Sequence, residues 1–249
     1  LVGGYVIPAR APTMENAMKD VQDAVRHFAT HPNTAPFISR QLIQFLVTDN
    51  PSPAYIQRVS TVFADNGAGV FGDLGAVVKA ILLDDEARTP TQPELDGALG
   101  RMKEPVIRAM AIARVFGMKN QPGFQWWNEG SEFYEASKQE PGYSPSVFNF
   151  YRPDYKPPGT LTASNKAGPV FQIIDSYTAI SFPNLLWSLI EQGFTRWDEA
   201  YDFPLDLSRE VAMAGTVDKL VDHLNLLFCA GQLSAGSRTI IINAVNQIP

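Results

Sequence analysis

"TAPFISRQLIQFLVTDNPSPAYIQRVSTVFADNG", residues 34 to 67, decides the fold class. Ile38, Leu42, Phe45 and Leu46 recur at the three- and four-residue spacing of a single helix face. Asn33 or Thr34 starts that helix, and Pro36 is tolerated in its first turn. Ser52-Pro53 then reads as an N-cap followed by proline at the first helical position, where a missing N–H costs nothing.

The same signals extend in both directions. "LVGGYVIP" at the start reads as a short extended segment with a turn at Gly3-Gly4. Thr13 caps a helix running to about Ala29. Pro32 ends it, because the residue before proline is pushed out of the α region. Asp73 caps a helix with the stripe Leu74, Val77, Val78, Ile81 and Leu82. Its acidic end, Asp84-Asp85-Glu86, opposes the macrodipole and is expected to fray. Pro105 starts a helix carrying Val106, Met110, Ala113 and Phe116 on one face. Residues 118–168 then lose all period and fill with Gly, Pro, Asn and aromatics; so long an irregular stretch is commonly functional or an interface. Helix returns near Val170, with Pro183 expected to break or kink it. Thr216 caps the run Val217, Leu220, Val221, Leu224 and Phe228, which Gly231 stops. Ser234 or Ser237 opens the last helix, with Ile240, Ile241, Ala244, Val245 and Ile248 inside. The expected architecture is mainly α: an irregular multi-helix bundle with a long aromatic and proline-rich insert and few or no strands.

Composition narrows the function. The 249 residues are 45% hydrophobic, enough for one large core or two small ones. Charged residues make up 18%, below the roughly 25% of an average domain, so part of the surface is expected to be covered by another chain or domain. A net charge of -6 with scattered Lys and Arg argues against nucleic acid, which needs a concentrated basic patch. No apolar run approaches the roughly 20 residues of a bilayer span; "AISFPNLLWSLI", residues 179 to 190, is interrupted by Pro183. The single cysteine, Cys229, excludes an intramolecular disulfide, and its apolar helical run predicts a buried, inert thiol.

"HPNTAPFISRQLIQFLVTDNPSPAYIQRVSTVFADNG", "GDLGAVVKAILLDDEAR", "SPSVFNFYRPDY" and "GTVDKLVDHLNLLF" together resemble the bacterial family of unknown function DUF1800. The first block and the phrase Asn149-Phe150-Tyr151-Arg152-Pro153 are the most specific. The resemblance spans nearly the whole chain but only the C-terminal part of the family pattern. It implies that residues 1–249 are the C-terminal helical part of one larger domain, with helices over about 13–117, the insert over about 118–168 and C-terminal helices over about 169–249. It also implies a bacterial, exported protein, in the periplasm, at the cell surface or outside the cell, whose N-terminal helical region precedes Leu1. The family pattern places a Pro-Glu-Phe-Gln phrase and a second glutamate after the aromatic segment. Here Pro169-Val170-Phe171-Gln172 and Asp175-Ser176 stand in those places, so any chemistry of those glutamates is missing.

Few residues look chemical. His27 and His31 are four apart, a metal-ligand spacing, but Pro32 pulls His31 off the helix and no third ligand is near. Gly130-Ser131-Glu132 lacks the pattern of a nucleophile elbow, and Gly67-Ala68-Gly69 lacks that of a phosphate loop. No metal and no cofactor are expected. Trp126 and Trp127 beside Asn128, Glu129, Glu132 and Glu135 could cover the C–H faces of a sugar, bond its hydroxyls and supply paired carboxylates for glycoside cleavage. The stretch "SPSVFNFYRPDYKPPG", residues 144 to 159, offers Asn149, Tyr151, Arg152 and Asp154 as a second candidate surface. The competing reading is a structural corner stiffened by four prolines, in which the five donors of Arg152 tie loop acceptors together. The favoured function is therefore an interaction or structural subunit, partnered by the N-terminal region of the same protein or by another chain. The second is a secreted glycan-binding protein or glycan hydrolase.

Overall fold

In a computed structural model, residues 2–89, 100–118, 130–192 and 204–248 are described. Among them are twelve α-helices and no strand. The chain divides into two compact units, Leu1–Met102 with Ser146–Gln172, and Lys103–Pro145 with Ile173–Pro249.

The first unit holds α1 (Met14–Ala29), α2 (Thr34–Leu46), α3 (Pro53–Ala64), α4 (Leu74–Leu83), α5 (Asp85–Arg88) and the short α8 (Thr160–Ala163). Its starts were written in polar residues. The side chains of Thr13, Ser52 and Asp73 accept the N–H groups of Asn16, Tyr55 and Ala76, satisfying donors that a helix leaves open. α2, α3 and α4 pack around Ile43, Tyr55, Val59, Phe63, Val77 and Ile81, all buried. Tyr55 brings a hydroxyl into this core and donates it to the Ile81 carbonyl at 2.6 Å. The acidic run 84–86 does not fray a helix end. α4 stops at Leu83 and Asp84 becomes the N-cap of α5, accepting the Glu86 N–H at 3.0 Å. Negative charge now sits at a helix N-terminus, where the dipole favours it. Arg58 forks onto both oxygens of Asp84 at 2.7 Å, holding that carboxyl below the usual carboxylate range.

The second unit holds α6 (Pro105–Val115), α7 (Gly130–Ser137), α9 (Thr178–Gln192), α10 (Ser208–Met213), α11 (Val217–Cys229) and α12 (Ala235–Val245). Ala109, Phe133 and Phe182 join α6, α7 and α9, the two rings meeting edge to face at 6.1 Å. The buried Gln139 side chain accepts the Val106 N–H at 3.0 Å, so a residue after α7 caps the start of α6. α9 runs through Pro183. Proline there removes only the one bond to the Ala179 carbonyl, early in the helix, and the following turns continue. Asp175 caps the same helix, its carboxylate accepting the N–H groups of Tyr177 and Thr178.

Further expectations change: Thr216 precedes α11 without a side-chain cap bond, and Ile240, Ile241 and Ile248, expected on the inner side of the last helix, are exposed. Cys229 is exposed at the end of α11, because that helix buries only Val221. The stretch 118–168 contains the helical segments α7 and α8, and its residues 146–168 belong to the first unit. Helical period was masked there by glycine, serine and the closely spaced prolines.

Among the described residues, one buried side-chain group is left without a partner. Ser39 Oγ in α2 is fully buried without a hydrogen-bond partner. Ser39→Ala should therefore raise the stability of the chain by about 1 kcal/mol, the desolvation cost of an unpaired hydroxyl. Thermal unfolding reads this as a higher Tm; a lower one would show that the hydroxyl is bonded.

Candidate functional site

The most polar interior of the first unit lies where α2 ends. Val47–Asn50 leaves the helix, and its buried groups must find partners. Thr48 is fully buried, and its Oγ accepts the Gly100 N–H at 2.9 Å. The Asp49 N–H donates to the Gly100 carbonyl at 3.0 Å. Gly100 sits at φ 113°, a backbone that other residues adopt only with strain. Buried Gln44 donates to the carbonyls of Asp49 at 2.9 Å and Pro153 at 3.3 Å. Asn50 pairs with Ala167 like a piece of sheet: its amide donates to the Ala167 carbonyl at 2.9 Å and its Oδ1 accepts the Ala167 N–H at 2.8 Å. One turn thus gathers Gly100 and both ends of the segment 153–167.

Arg101 completes this knot. It donates to the Phe45 carbonyl and to the Tyr151 hydroxyl, both at 2.6 Å, and its guanidinium lies 5.1 Å from the centre of the Phe45 ring. Asp49 is the buried acid beside it. Burial pushes its carboxyl up to about 6, against the opposing pull of Arg101.

The candidate residues of the aromatic stretch separate here. Tyr151 is buried in the knot. Asn149 takes a left-handed backbone, φ 69°, its N–H bonded to the Ser146 carbonyl at 3.1 Å. Arg152 and Asp154 come together as an exposed pair, with two contacts of 3.2 Å. Arg152 is thus not the tie expected of it: its backbone N–H, not its guanidinium, makes the tertiary bond, to Gln172 Oε1 at 2.8 Å. Tyr151 is buried and Pro153, Tyr155 and Pro157 are half-buried, while Arg152, Asp154 and Lys156 are exposed around the turn that the Tyr155 N–H closes onto the Arg152 carbonyl at 3.1 Å. Arg101 was missed because it stands alone in sequence; an arginine directly after a glycine was the only signal. Val170 is fully buried. Gly168 is packed so closely that a Cβ would lie 2.8 Å from the Phe171 ring.

The other candidates contribute less. Trp126, Trp127, Asn128 and Glu129 lie outside the described residues; Glu135 is exposed on α7. The His27 ring bonds the Val2 carbonyl at 2.7 Å and stacks on Tyr5. The His31 ring accepts the Asn33 N–H at 3.2 Å, and the two imidazoles stand 6.4 Å apart at 78°. Among the described residues, no three His, Cys, Asp or Glu side chains gather as a metal site.

In the second unit, a groove of about 390 Å³ is lined by Ile112, Phe116, Ile190, Leu220, Leu224 and Phe228, among others. Glu210 is its one charged lining residue and bonds His223 at 2.8 Å, fastening α10 to α11.

These features define a mainly α-helical protein whose best-built polar site, among the described residues, is a structural knot. The chain belongs to the family described as "Protein of unknown function (DUF1800)", which it matches over residues 4–249. No curated protein and no solved structure matches it.

Two outcomes test the knot. Arg101→Ala should cost about 2 kcal/mol, because it strips charged hydrogen bonds from the buried Tyr151 hydroxyl and the Phe45 carbonyl. Arg152→Ala should cost less than about 1 kcal/mol, as for exposed ion pairs. Thermal melts of the two variants side by side would contradict the assignment if the order were reversed.

The pH dependence follows from Asp49. Its folded-state carboxyl titrates above its unfolded value, so the folded chain binds the proton more tightly. Stability falls as pH rises from about 4 to about 6, and the full penalty is present at neutral pH. Asp49→Asn keeps both backbone bonds and removes the charge. It should stabilise the chain by on the order of 2 kcal/mol at pH 8, and by almost nothing at pH 4. Denaturant melts at the two pH values check this; an equal effect at both would remove Asp49 titration as the cause.

Proposed function

We propose that the chain works by association, as an interaction subunit of an exported assembly in the bacterial envelope or outside the cell. One observation carries this reading. α1 and α12 bury none of their residues, yet they expose Met14, Met18, Val21, Val25, Phe28, Ile240 and Ile241. Apolar helix faces of this kind mark interaction sites, and a helix draws most of its stability from packing such a face. The low charged fraction agrees with a partly covered surface. Export rests on the family resemblance. No described helix is long and apolar enough to cross a membrane.

Sedimentation velocity over low to high micromolar concentration is the test, with a dye that fluoresces on exposed apolar surface added in parallel. The expected result is species heavier than 27.4 kDa, with dye binding falling as they form. A 27.4 kDa particle at every concentration that binds no dye would contradict association. Specific saccharide binding by that particle would move the function to the glycan reading. Recovery of the native full-length protein in the cytoplasmic fraction of its cells would contradict export.

A further inference from the structure

Arg108, in the first turn of α6, is a half-buried cation without an acid. Its Nε donates to the Lys103 carbonyl at 3.0 Å, and its guanidinium lies 5.5 Å from the centre of the buried Phe182 ring. The donors on its two terminal nitrogens meet no protein acceptor among the described residues. Arg10, Arg58 and Arg238 each hold two carboxylates. No ion pair joins Arg108 to a described carboxylate. The acids near it in sequence or in the fold are engaged elsewhere. Glu104, one turn earlier, accepts the Gln139 amide at 2.6 Å. Asp175 accepts the N–H groups of Tyr177 and Thr178 and lies beside Lys138. Burial pushes the Arg108 guanidinium down from the usual arginine value, with no acid to oppose it. A charge partly taken out of water in this way gains most from a counter-charge that joins it there.

Arg108 borders a cavity of about 40 Å³, which it shares with Pro105, Phe182 and Pro183. That is room for a group the size of about one water, not for a whole metabolite. The first turns of α6 and α9 border the same space through Pro105 and Thr178, so two positive helix ends lie beside it. The Phe182 and proline walls limit competing water, and a charge-assisted hydrogen bond strengthens as water is excluded. A planar guanidinium with Nε already bonded offers its terminal edge, whose two nitrogens match the two oxygens of a carboxylate.

We propose that the cavity at Arg108 is a binding site for a carboxylate group, taken end-on by the two terminal nitrogens, with the rest of the bound molecule outside. A small organic acid and an acidic protein side chain present this same group. The proposal does not depend on the association reading.

The test titrates the whole chain with sodium acetate, against sodium chloride at equal ionic strength. Proton–nitrogen NMR follows the side-chain Nε–H of Arg108, a signal assigned by its loss in Arg108→Lys. Acetate should shift it saturably, with a Kd on the order of 10 mM, as four heavy atoms allow. Chloride should not. Arg108→Gln should weaken acetate binding about tenfold or more, read at the Thr178 and Ala179 amides, with the helical circular dichroism unchanged. Arg114→Gln, at an exposed position of the same helix, should leave binding intact. A blocked glutamate, N-acetylglutamate methylamide, separates the sources. Binding as tight as that of acetate admits an acidic side chain of a partner; its exclusion assigns the site to a small free acid. No saturable shift with either carboxylate would overturn the proposal. So would undiminished binding by Arg108→Gln, or equal weakening by Arg114→Gln. If Arg108→Gln does not fold, the parent titration decides alone: a saturable shift specific to carboxylate supports the site, and one shared with chloride overturns it.

Discussion

The first unit depends on satisfying the backbone that leaves α2 at Val47. A helix C-terminus leaves carbonyls without partners, and this one ends inside the unit, not in water. Gln44, Thr48 and Asn50 meet the constraint with three side chains of different reach. The Thr48 hydroxyl serves Gly100, the Asn50 amide serves both backbone groups of Ala167, and the Gln44 amide spans the turn to Pro153. Residues about 50 and 110 positions apart in sequence are thereby joined, and Tyr151 can be buried because Arg101 already points at its hydroxyl. Asp49 is the cost of this arrangement, a carboxyl held in the interior with only Arg101 to offset its burial.

Much of this fold was legible in the sequence. Caps at Thr13, Ser52, Asp73 and Ser234 rest on short-range geometry, and the structure forms each one. The starts of α3 and α6 were marked by Pro53 and Pro105 for the same reason. What could not be read was tertiary. The run Asp84-Asp85-Glu86 looks the same whether it ends one helix or begins another, and Arg58, 26 residues away, favours the second. Pro183 was read from local sterics alone, which do not say that a single missing bond can be carried within α9. The site was half legible. Its aromatic segment stood out by composition, but its partners Gln44, Thr48, Asn50 and Arg101 are ordinary residues whose role exists only once the chain has folded.

The knot also bears on function. It turns Tyr151 inward and leaves Arg152, Asp154 and Lys156 on the outside, with Val147 and Phe148 exposed beside them. The segment is thus a fixed corner with an outward edge, not a loop awaiting a ligand to order it. On the association reading proposed above, interaction falls to the apolar faces of α1 and α12, which bury none of their residues. Arg238 ties α12 to α11 through Asp218 and Asp222, so its apolar side is held outward by charge.

The corner reading can be tested most directly by amide hydrogen exchange on Asn50→Ala. This change removes both bonds to Ala167 without touching the Ile43–Tyr55–Val77 core. The amides of residues 146–172 should then lose protection together, while those of α2, α3 and α4 keep theirs. Unchanged protection across 146–172 would show that the segment holds its shape without the knot, and would contradict the account.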